Sequence, residues 1–193
     1  TGRYIGMNMI KLGDICIMQS GGTPRRGTDE YYGGEIPWVK IGDIDKSEGN
    51  PITDTSEKIT KKGLNSINNR LFKKGTLLLA MYGSVGKTAF AGTNLSTNQA
   101  ILGINVKDEN LLDLSYLKRW FDCNQKIILG TARGVTLKNI SATIVKNIRI
   151  PLPPLPEQKH IASILDKADA LRQKNKKLLA AYDELLQSVF LEL

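Results

Sequence analysis

Four prolines lie between Pro151 and Pro156, and neither glycine nor proline occurs after them. Because proline interrupts both helix interiors and central strands, this segment divides the chain. Pro156 and Glu157 suit the first turn of a helix, and alanine, leucine, lysine, glutamine and glutamate dominate the residues that follow. The sequence therefore predicts a single C-terminal helix of about 35 residues, roughly 50 Å long.

The predicted helix carries an apolar heptad repeat over four turns of the pattern. Its members are Ile161, Ala168, Asn175, Tyr182 and Val189 at position a, Ile164, Leu171, Leu178 and Leu185 at d, and Leu165, Leu179 and Leu186 at e. A helix this long cannot bury the stripe against itself, so we predict a coiled coil with a second long helix. Packing of part of the stripe on its own domain is the alternative. Asn175 predicts either a register-setting contact or an exposed break.

The charge of the chain is concentrated before the prolines. The net charge is +8, and residues 151–193 contain six basic and six acidic side chains, so the whole excess lies in residues 1–150. A basic globular part beside a neutral helix predicts a polyanionic partner such as nucleic acid.

Other features exclude several classes of protein. No run approaches the roughly 18–20 apolar residues of a membrane span, and the first residues lack the features of a secretory signal. Cys16 and Cys123 are far apart, which excludes a disulfide framework and a cysteine-rich zinc site. We expect reduced, buried thiols in a cytoplasmic protein without a membrane partner.

Residues 1–150 combine short apolar runs with frequent glycines. The predicted strands are Ile36–Ile41, Thr76–Tyr82, Ala100–Val106 and Lys146–Ile150, and the predicted helices run from a Ser56 cap to about Leu64 and from Asp113 to Leu129. Strands and helices do not alternate regularly. The fold class is therefore predicted to be α+β.

Catalytic motifs are mostly missing. The Gly83–Thr88 segment resembles a phosphate loop, but Met81 stands where that motif needs glycine, and the following residues are poor helix formers. The single histidine, His160, is expected on the surface. The pattern favours binding over catalysis and assigns no cofactor or metal to this chain, although a phosphotransferase using this loop remains an alternative.

Cationic and amide side chains recur on the glycine-rich loops, where a backbone can approach a nucleic acid closely. Arginine and lysine bind phosphates or guanine edges, and glutamine suits adenine. The predicted DNA-contacting residues are Arg25, Arg26, Lys40, Ser84, Lys87, Gln99, Arg133 and Lys138.

Four segments together resemble a known family. They are Lys11–Asp14 leading to Ser20–Pro24, Gly34–Ile44, Gly75–Ala100 with its Gly83–Lys87 loop, and Ile150–Gln158 opening the long helix. In this order they resemble the DNA specificity subunit of type I restriction–modification systems. Recognition domains of this family vary widely, so the resemblance does not fix which residues read bases.

The resemblance implies a recognition domain with a strongly bent sheet over residues 1–150, a proline-rich linker over 151–156 and a spacer helix over 157–193. It implies two such units per specificity subunit, joined by an antiparallel coiled coil and each reading half of a split DNA site. Methyltransferase subunits with S-adenosylmethionine, and a restriction subunit with ATP and magnesium, would be the partners. With one unit, this chain is expected to form a two-fold homodimer on a palindromic split site.

Two further interpretations stay open. The chain could be the recognition part of a single-chain restriction–methylation enzyme. It could also be a purely structural coiled-coil adaptor, although this leaves the charge of residues 1–150 unexplained.

Overall fold

The computed structural model describes residues 8–130 and 139–191. The strands are β1 Met9–Lys11, β2 Cys16–Ser20, β3 Tyr32–Val39, β4 Lys58–Ile59, β5 Leu71–Phe72, β6 Leu77–Ala80, β7 Thr88–Phe90, β8 Leu95–Thr97, β9 Ile101–Val106 and β10 Arg149–Pro151. The helices are α1 Leu12–Ile15, α2 Ile41–Ser47, α3 Lys61–Ser66, α4 Leu114–Gly130, α5 Ala142–Asn147 and α6 Leu155–Leu191, with a 3₁₀ turn at Asp29–Tyr31. The predicted α+β class with a long C-terminal helix is confirmed.

The strands form two four-stranded sheets, β2-β9-β6-β7 and β4-β3-β8-β5, and a two-stranded ladder β1-β10. The first sheet is antiparallel throughout, whereas β3 and β8 of the second run parallel. The strands are thus divided between two four-stranded sheets and one two-stranded ladder, and a strongly bent sheet stays a prediction. The β1-β10 ladder joins the start of the chain to the segment just before α6.

Strand β6 separates two hydrophobic cores. All four of its residues are buried, and successive side chains of a strand point to opposite faces. Leu77 and Leu79 belong to the core formed with α1, α4, α5 and the start of α6, whereas Leu78 and Ala80 belong to the core shared with α2 and the second sheet. The first sheet is thus covered on both faces, which explains why Leu77–Ala80 shows no polar alternation.

The first part of α6 packs on the globular domain that precedes it. Gln158 is fully buried, and its side chain donates to the carbonyls of Leu111 (2.9 Å) and Pro153 (2.8 Å) while accepting from the Asp113 amide (2.9 Å). Ala162, one turn later, is also buried. The proline segment is therefore held by hydrogen bonds on the domain, and α6 begins at Leu155, within it.

An ion-pair cluster continues this contact along α6. Arg119 of α4, with a side chain only 15% exposed, pairs with Asp166 (2.6 Å) and Asp169 (3.2 Å). These two carboxylates hold the pKa of Arg119 above its ordinary value although burial lowers it. Farther along, Lys176 pairs with Glu48 at the end of α2 (2.8 Å). The contact between α6 and the domain therefore reaches to Lys176.

The described side chains from Lys177 to Phe190 are all exposed. The exposed stripe members are Ile164, Ala168, Leu171, Asn175, Leu178, Leu179, Tyr182, Leu185, Leu186 and Val189. Two stripe members differ: Ile161 packs against the domain core, and Leu165 is half-buried beside it. The docking face of α6 therefore overlaps the first turns of the stripe, and a coiled-coil role of these two residues stays a prediction.

Several local predictions were wrong. Thr60, not Ser56, caps a helix, because its hydroxyl accepts from the Gly63 amide, and Lys58–Ile59 is a strand. The predicted strand Lys146–Ile150 overlaps α5, which Ser141 caps, and only Arg149–Pro151 pairs. Strand β3 ends at Val39, so Ile41 belongs to α2.

The two cysteines are free, as expected, but only one is buried. Burial raises the pKa of the Cys16 thiol to about 12, whereas Cys123 is exposed on α4. The prediction that both thiols are buried is wrong because Cys123 lies on the polar side of that amphipathic helix. His160 is exposed, as predicted.

Candidate nucleic-acid interface

The Gly21–Gly27 loop is anchored on strand β3 by two aromatic side chains. Trp38 is buried, and its indole N–H donates to the carbonyl of Gly22 (3.0 Å). The hydroxyl of Tyr32 donates to the carbonyl of Pro24 (2.7 Å). These bonds fix the backbone of a loop that would otherwise be mobile.

The start of this loop needs glycine for a steric reason. A Cβ on Gly21 would lie 2.0 Å from the hydroxyl oxygen of Thr97, at the end of β8. Arg70 donates to the Gly21 carbonyl (2.5 Å) from the other side. These contacts therefore fix the position of the backbone at the start of the loop.

Arg25 and Arg26 follow on this loop with different surroundings. Arg26 donates to Glu57 (2.5 Å) and lies 4.9 Å and 5.2 Å from the ring centroids of Tyr32 and Trp38. Such stacking holds a guanidinium in place while its N–H groups stay available at the edge. Arg25 is exposed, and no described residue forms an ion pair with it.

Glu57 joins this loop to helix α2. Its second carboxylate oxygen accepts from Lys40 (2.7 Å), the residue that precedes α2. The side-chain hydrogen bond from Arg26, and then the one from Lys40, hold the pKa of Glu57 below its ordinary value. Arg26 and Lys40, which are far apart in sequence, thus share one carboxylate.

The Gly83–Thr88 segment forms a tight turn between β6 and β7. Gly83 and Gly86 adopt positive φ angles of 64° and 85°, which glycine tolerates best. Asp45 of α2 accepts from Lys87 (2.6 Å) and from the hydroxyl of Ser84 (2.9 Å). The bond from Lys87, followed by that from Ser84, keeps the pKa of Asp45 below its ordinary value.

This turn is not a phosphate loop. Thr88 opens strand β7, where a phosphate loop would open a helix whose N-terminus faces the phosphate. The prediction of a non-helical segment here is confirmed. Within residues 8–130 and 139–191, no group of three or more histidine, cysteine or acidic side chains could hold a metal ion.

Gln99 is close to the first loop, because its side-chain carbonyl accepts from the Thr23 hydroxyl. The structure therefore brings together six predicted residues, which we call the basic surface: Arg25, Arg26, Lys40, Ser84, Lys87 and Gln99. They follow one path from the Gly21–Gly27 loop through Glu57 and α2 to the Gly83–Thr88 turn. Arg133 and Lys138 lie outside the described residues.

Sequence reasoning missed the acidic side of this arrangement. Glu57 and Asp45 each hold a lysine and a second donor, yet neither follows a recognisable motif. The aromatic supports carried a weak signal, since Trp38 lies within the Gly34–Ile44 segment noted above and Tyr32 just before it.

Comparison with known proteins identifies the family. The profile of the type I restriction modification DNA specificity domain matches residues 4–181. The chain belongs to this family. The sequence-based identification as a relative of type I specificity subunits is thereby confirmed.

Relatives of this specificity family come from bacteria and archaea. The MjaIX specificity subunit of Methanocaldococcus jannaschii is 31% identical over 183 residues, which cover 95% of this chain and 41% of the relative. The EcoR124I/EcoR124II specificity subunit of Escherichia coli is 27% identical and covers 83% of this chain and 40% of the relative. The chain thus spans about two fifths of the length of these relatives.

Solved structures share the fold. A chain from a study of complex assembly and conformational transition of the type I restriction–modification system superposes with a TM-score of 0.75 at 20% identity, covering 96% of this chain and 44% of its own length. The HsdS subunit of Thermoanaerobacter tengcongensis gives 0.64 at 19% identity, covering 89% and 39%. Among the described residues, no helix is both long and apolar enough to cross a membrane.

Proposed function

We propose that this chain reads DNA as one half of the specificity component of a type I restriction–modification enzyme. The basic surface carries the proposal: loops distant in sequence place Arg25, Arg26, Lys40 and Lys87 along one path, in a chain of the DNA specificity family. Residues 1–150 form the recognition domain; since β10 includes Pro151 and α6 begins at Leu155, the linker is shortened from the predicted 151–156 to 152–154 and the spacer helix starts at 155.

Each unit reads one half of a split site, and a second long helix covers the exposed stripe of α6. In this proposal the second unit is a second copy, related by two-fold symmetry, because an identical helix would cover the exposed stripe with a matching one. An antiparallel arrangement places the Leu178–Phe190 part of one helix beside the first half of the other. The target is then palindromic, with a spacer that the helix pair sets.

The catalytic steps belong to partner subunits in this proposal. Methyltransferase subunits bind S-adenosylmethionine, a restriction subunit uses ATP with magnesium, and this chain directs both to the target. The recognition part of a single-chain enzyme would use the same basic surface and differs only in covalent connection. A phosphotransferase role finds no support, since Lys87 faces Asp45 and no helix follows it.

Arg25 offers a test of DNA binding. Arg25→Ala is expected to weaken binding to duplexes of any sequence and to reduce the salt slope by about one, as loss of a phosphate contact does. Arg149→Ala is the matched control, because Arg149 is exposed on β10, which belongs to a different ladder. Fluorescence anisotropy at salt concentrations from about 50 to about 250 mM measures both the affinity and its salt slope. If the two variants have the same affinity and the same salt slope, Arg25 does not contact DNA.

Light scattering at two chain concentrations tests the helix pair. Leu185→Glu places a charge in the stripe and should shift a dimer to monomer, whereas Gln187→Glu adds the same charge outside the stripe and should leave the mass unchanged. Point variants are preferable to removal of α6, which would expose the core around Gln158 and Ala162. A wild-type chain that stays monomeric at both concentrations would contradict the homodimer.

A further inference from the structure

The cations of the basic surface are mostly engaged within the chain. Arg26 and Lys40 donate to opposite oxygens of Glu57, at 2.5 Å and 2.7 Å, and Lys87 donates to Asp45 at 2.6 Å. Among its described cations, Arg25 is the one without such an ion pair. The surface therefore presents much less net positive charge than its sequence suggests.

The two carboxylates engage their cations along one short helix, α2. Glu57 faces Lys40 just before α2, and Asp45 lies within α2, so about 7.5 Å of helix rise separates positions 40 and 45. The depressed pKa values of both groups keep them ionised wherever DNA binds. Protonation thus does not release the cations at neutral pH.

A phosphate needs the same N–H groups that these carboxylates occupy. Non-specific affinity for DNA depends on how many phosphates a protein neutralises and how many counterions it releases. A lysine that keeps its carboxylate partner adds no net charge to the interface. When the chain binds DNA of arbitrary sequence, each cation must therefore leave its carboxylate and bind a phosphate instead. This exchange contributes little binding free energy.

We propose that Glu57 and Asp45 mask the basic surface against non-target DNA, competing with phosphates for Arg26, Lys40 and Lys87. The proposal rests on the proposed function, because it concerns how the same surface selects DNA. A target sequence compensates for the exchange through base-edge hydrogen bonds, such as those of Arg26 with guanine. The carboxylates thereby lower affinity for all duplexes but leave target binding relatively favoured.

These ion pairs are suited to selection more than to stability. The side chains of Arg26 and Lys87 are about half exposed, and pairs this exposed contribute little to folding. Glu57→Gln and Asp45→Asn keep the shape and one acceptor oxygen, replace the other oxygen by an NH2 donor, and remove the charge. The variants should therefore fold, and a thermal melt by circular dichroism verifies it.

The test uses a fluorescent 40-bp duplex of random sequence and the full chain. At about 0.1 M salt, Glu57→Gln should tighten binding about tenfold and steepen the salt slope by up to two, and Asp45→Asn should tighten it about fivefold and steepen the slope by one. Glu109→Gln is the matched control, since Glu109 is exposed between β9 and α4 and carries the same charge change. It should alter affinity less than about twofold.

The outcomes separate this proposal from the proposed function. If the wild-type chain binds and both variants behave like Glu109→Gln, the masking is overturned and DNA binding stands. If either variant binds more weakly than the wild type, its carboxylate orients the cations or reads bases, and the masking is again overturned. Absence of binding by every chain at 50 mM salt would overturn both.

Discussion

The two halves of α6 use one amphipathic pattern in opposite ways. Up to Lys176, the helix is attached to the globular domain by the buried Gln158, the Arg119 cluster and the Lys176–Glu48 pair. After Lys176, every described side chain is exposed, and the leucines of the stripe remain uncovered. The first half thus fixes the direction of the helix on its own domain. The second half exposes its apolar stripe, which is available to bind a partner.

The difference shows that the docking face and the heptad face of α6 overlap only in its first turns, at Ile161 and Leu165. Gln158, Ala162, Leu165, Asp169 and Lys176 recur at helical spacing along the domain-facing side of α6. Apart from Leu165, none of them belongs to the apolar stripe. A helix can therefore be fixed on its own domain and still keep the stripe exposed for a partner.

Loss of the buried Gln158 side chain should have the largest effect. Gln158→Leu leaves the Asp113 amide and two carbonyls without their partner, so we expect a loss of about 3 kcal/mol in the free energy of unfolding. Urea unfolding at fixed chain concentration measures it. Gln187→Leu, the same change in the exposed half, should cost less than about 0.5 kcal/mol. Comparable losses would contradict the comparison between the halves.

Loss of the Arg119 side chain should have the second-largest effect on the free energy of unfolding. Arg119→Ala leaves Asp166 and Asp169 without their shared cation, and we expect a loss of about 2 kcal/mol, reduced from fully buried cases because both carboxylates are partly exposed. Arg172→Ala is the matched control: Arg172 also pairs with Asp169, but its side chain is 75% exposed. It should cost less than about 0.5 kcal/mol, and a larger loss than for Arg119→Ala would show that the α4–α6 contact is not held by the buried pair.

The sequence was sufficient where one signal dominated. The glycine- and proline-free run after Pro156 predicted α6, and the apolar runs predicted β6 and β9, because burial on both faces requires such residues. The division into two sheets was not predictable, since β3 pairs with β8 across more than fifty residues and long-range pairing leaves no local pattern. The short helix α2 was missed because its cap is Asp43 acting back on Lys40.

The candidate site was predictable as a set of cations but not as an arrangement. Glycine-rich loops pointed to Arg25, Arg26, Lys40 and Lys87, since such loops allow close backbone approach. The carboxylates opposite them gave no signal, because an isolated acidic residue in a loop is ordinarily a solvated charge. Pairing partners distant in sequence emerge only from the tertiary fold.

A pH series sharpens the role of the cluster. The hydrogen bond from Arg172, and then that from Arg119, hold the pKa of Asp169 below its ordinary value. A depressed folded-state pKa adds stability that is present above the unfolded pKa, near 4, and is lost as the pH falls through the folded value. Asp169→Asn should therefore be about 1 kcal/mol less stable than wild type at pH 7. The gap should close below pH 4, and a gap that stays constant with pH would contradict this assignment.

The smallest effect is expected in the exposed half. Leu186 is 57% exposed, so Leu186→Ala removes little buried area within one chain and should change the free energy of unfolding by less than about 0.5 kcal/mol at concentrations where chains do not pair. At concentrations where they pair, the same variant should lose more, because the partner helix would bury that side chain. Urea unfolding of wild type and variant at two chain concentrations, about a hundredfold apart so that the extent of pairing changes, measures the difference in the free energy of unfolding. A loss that is large at both concentrations would mean that Leu186 packs within its own chain, and one that is negligible at both would mean that it packs against nothing.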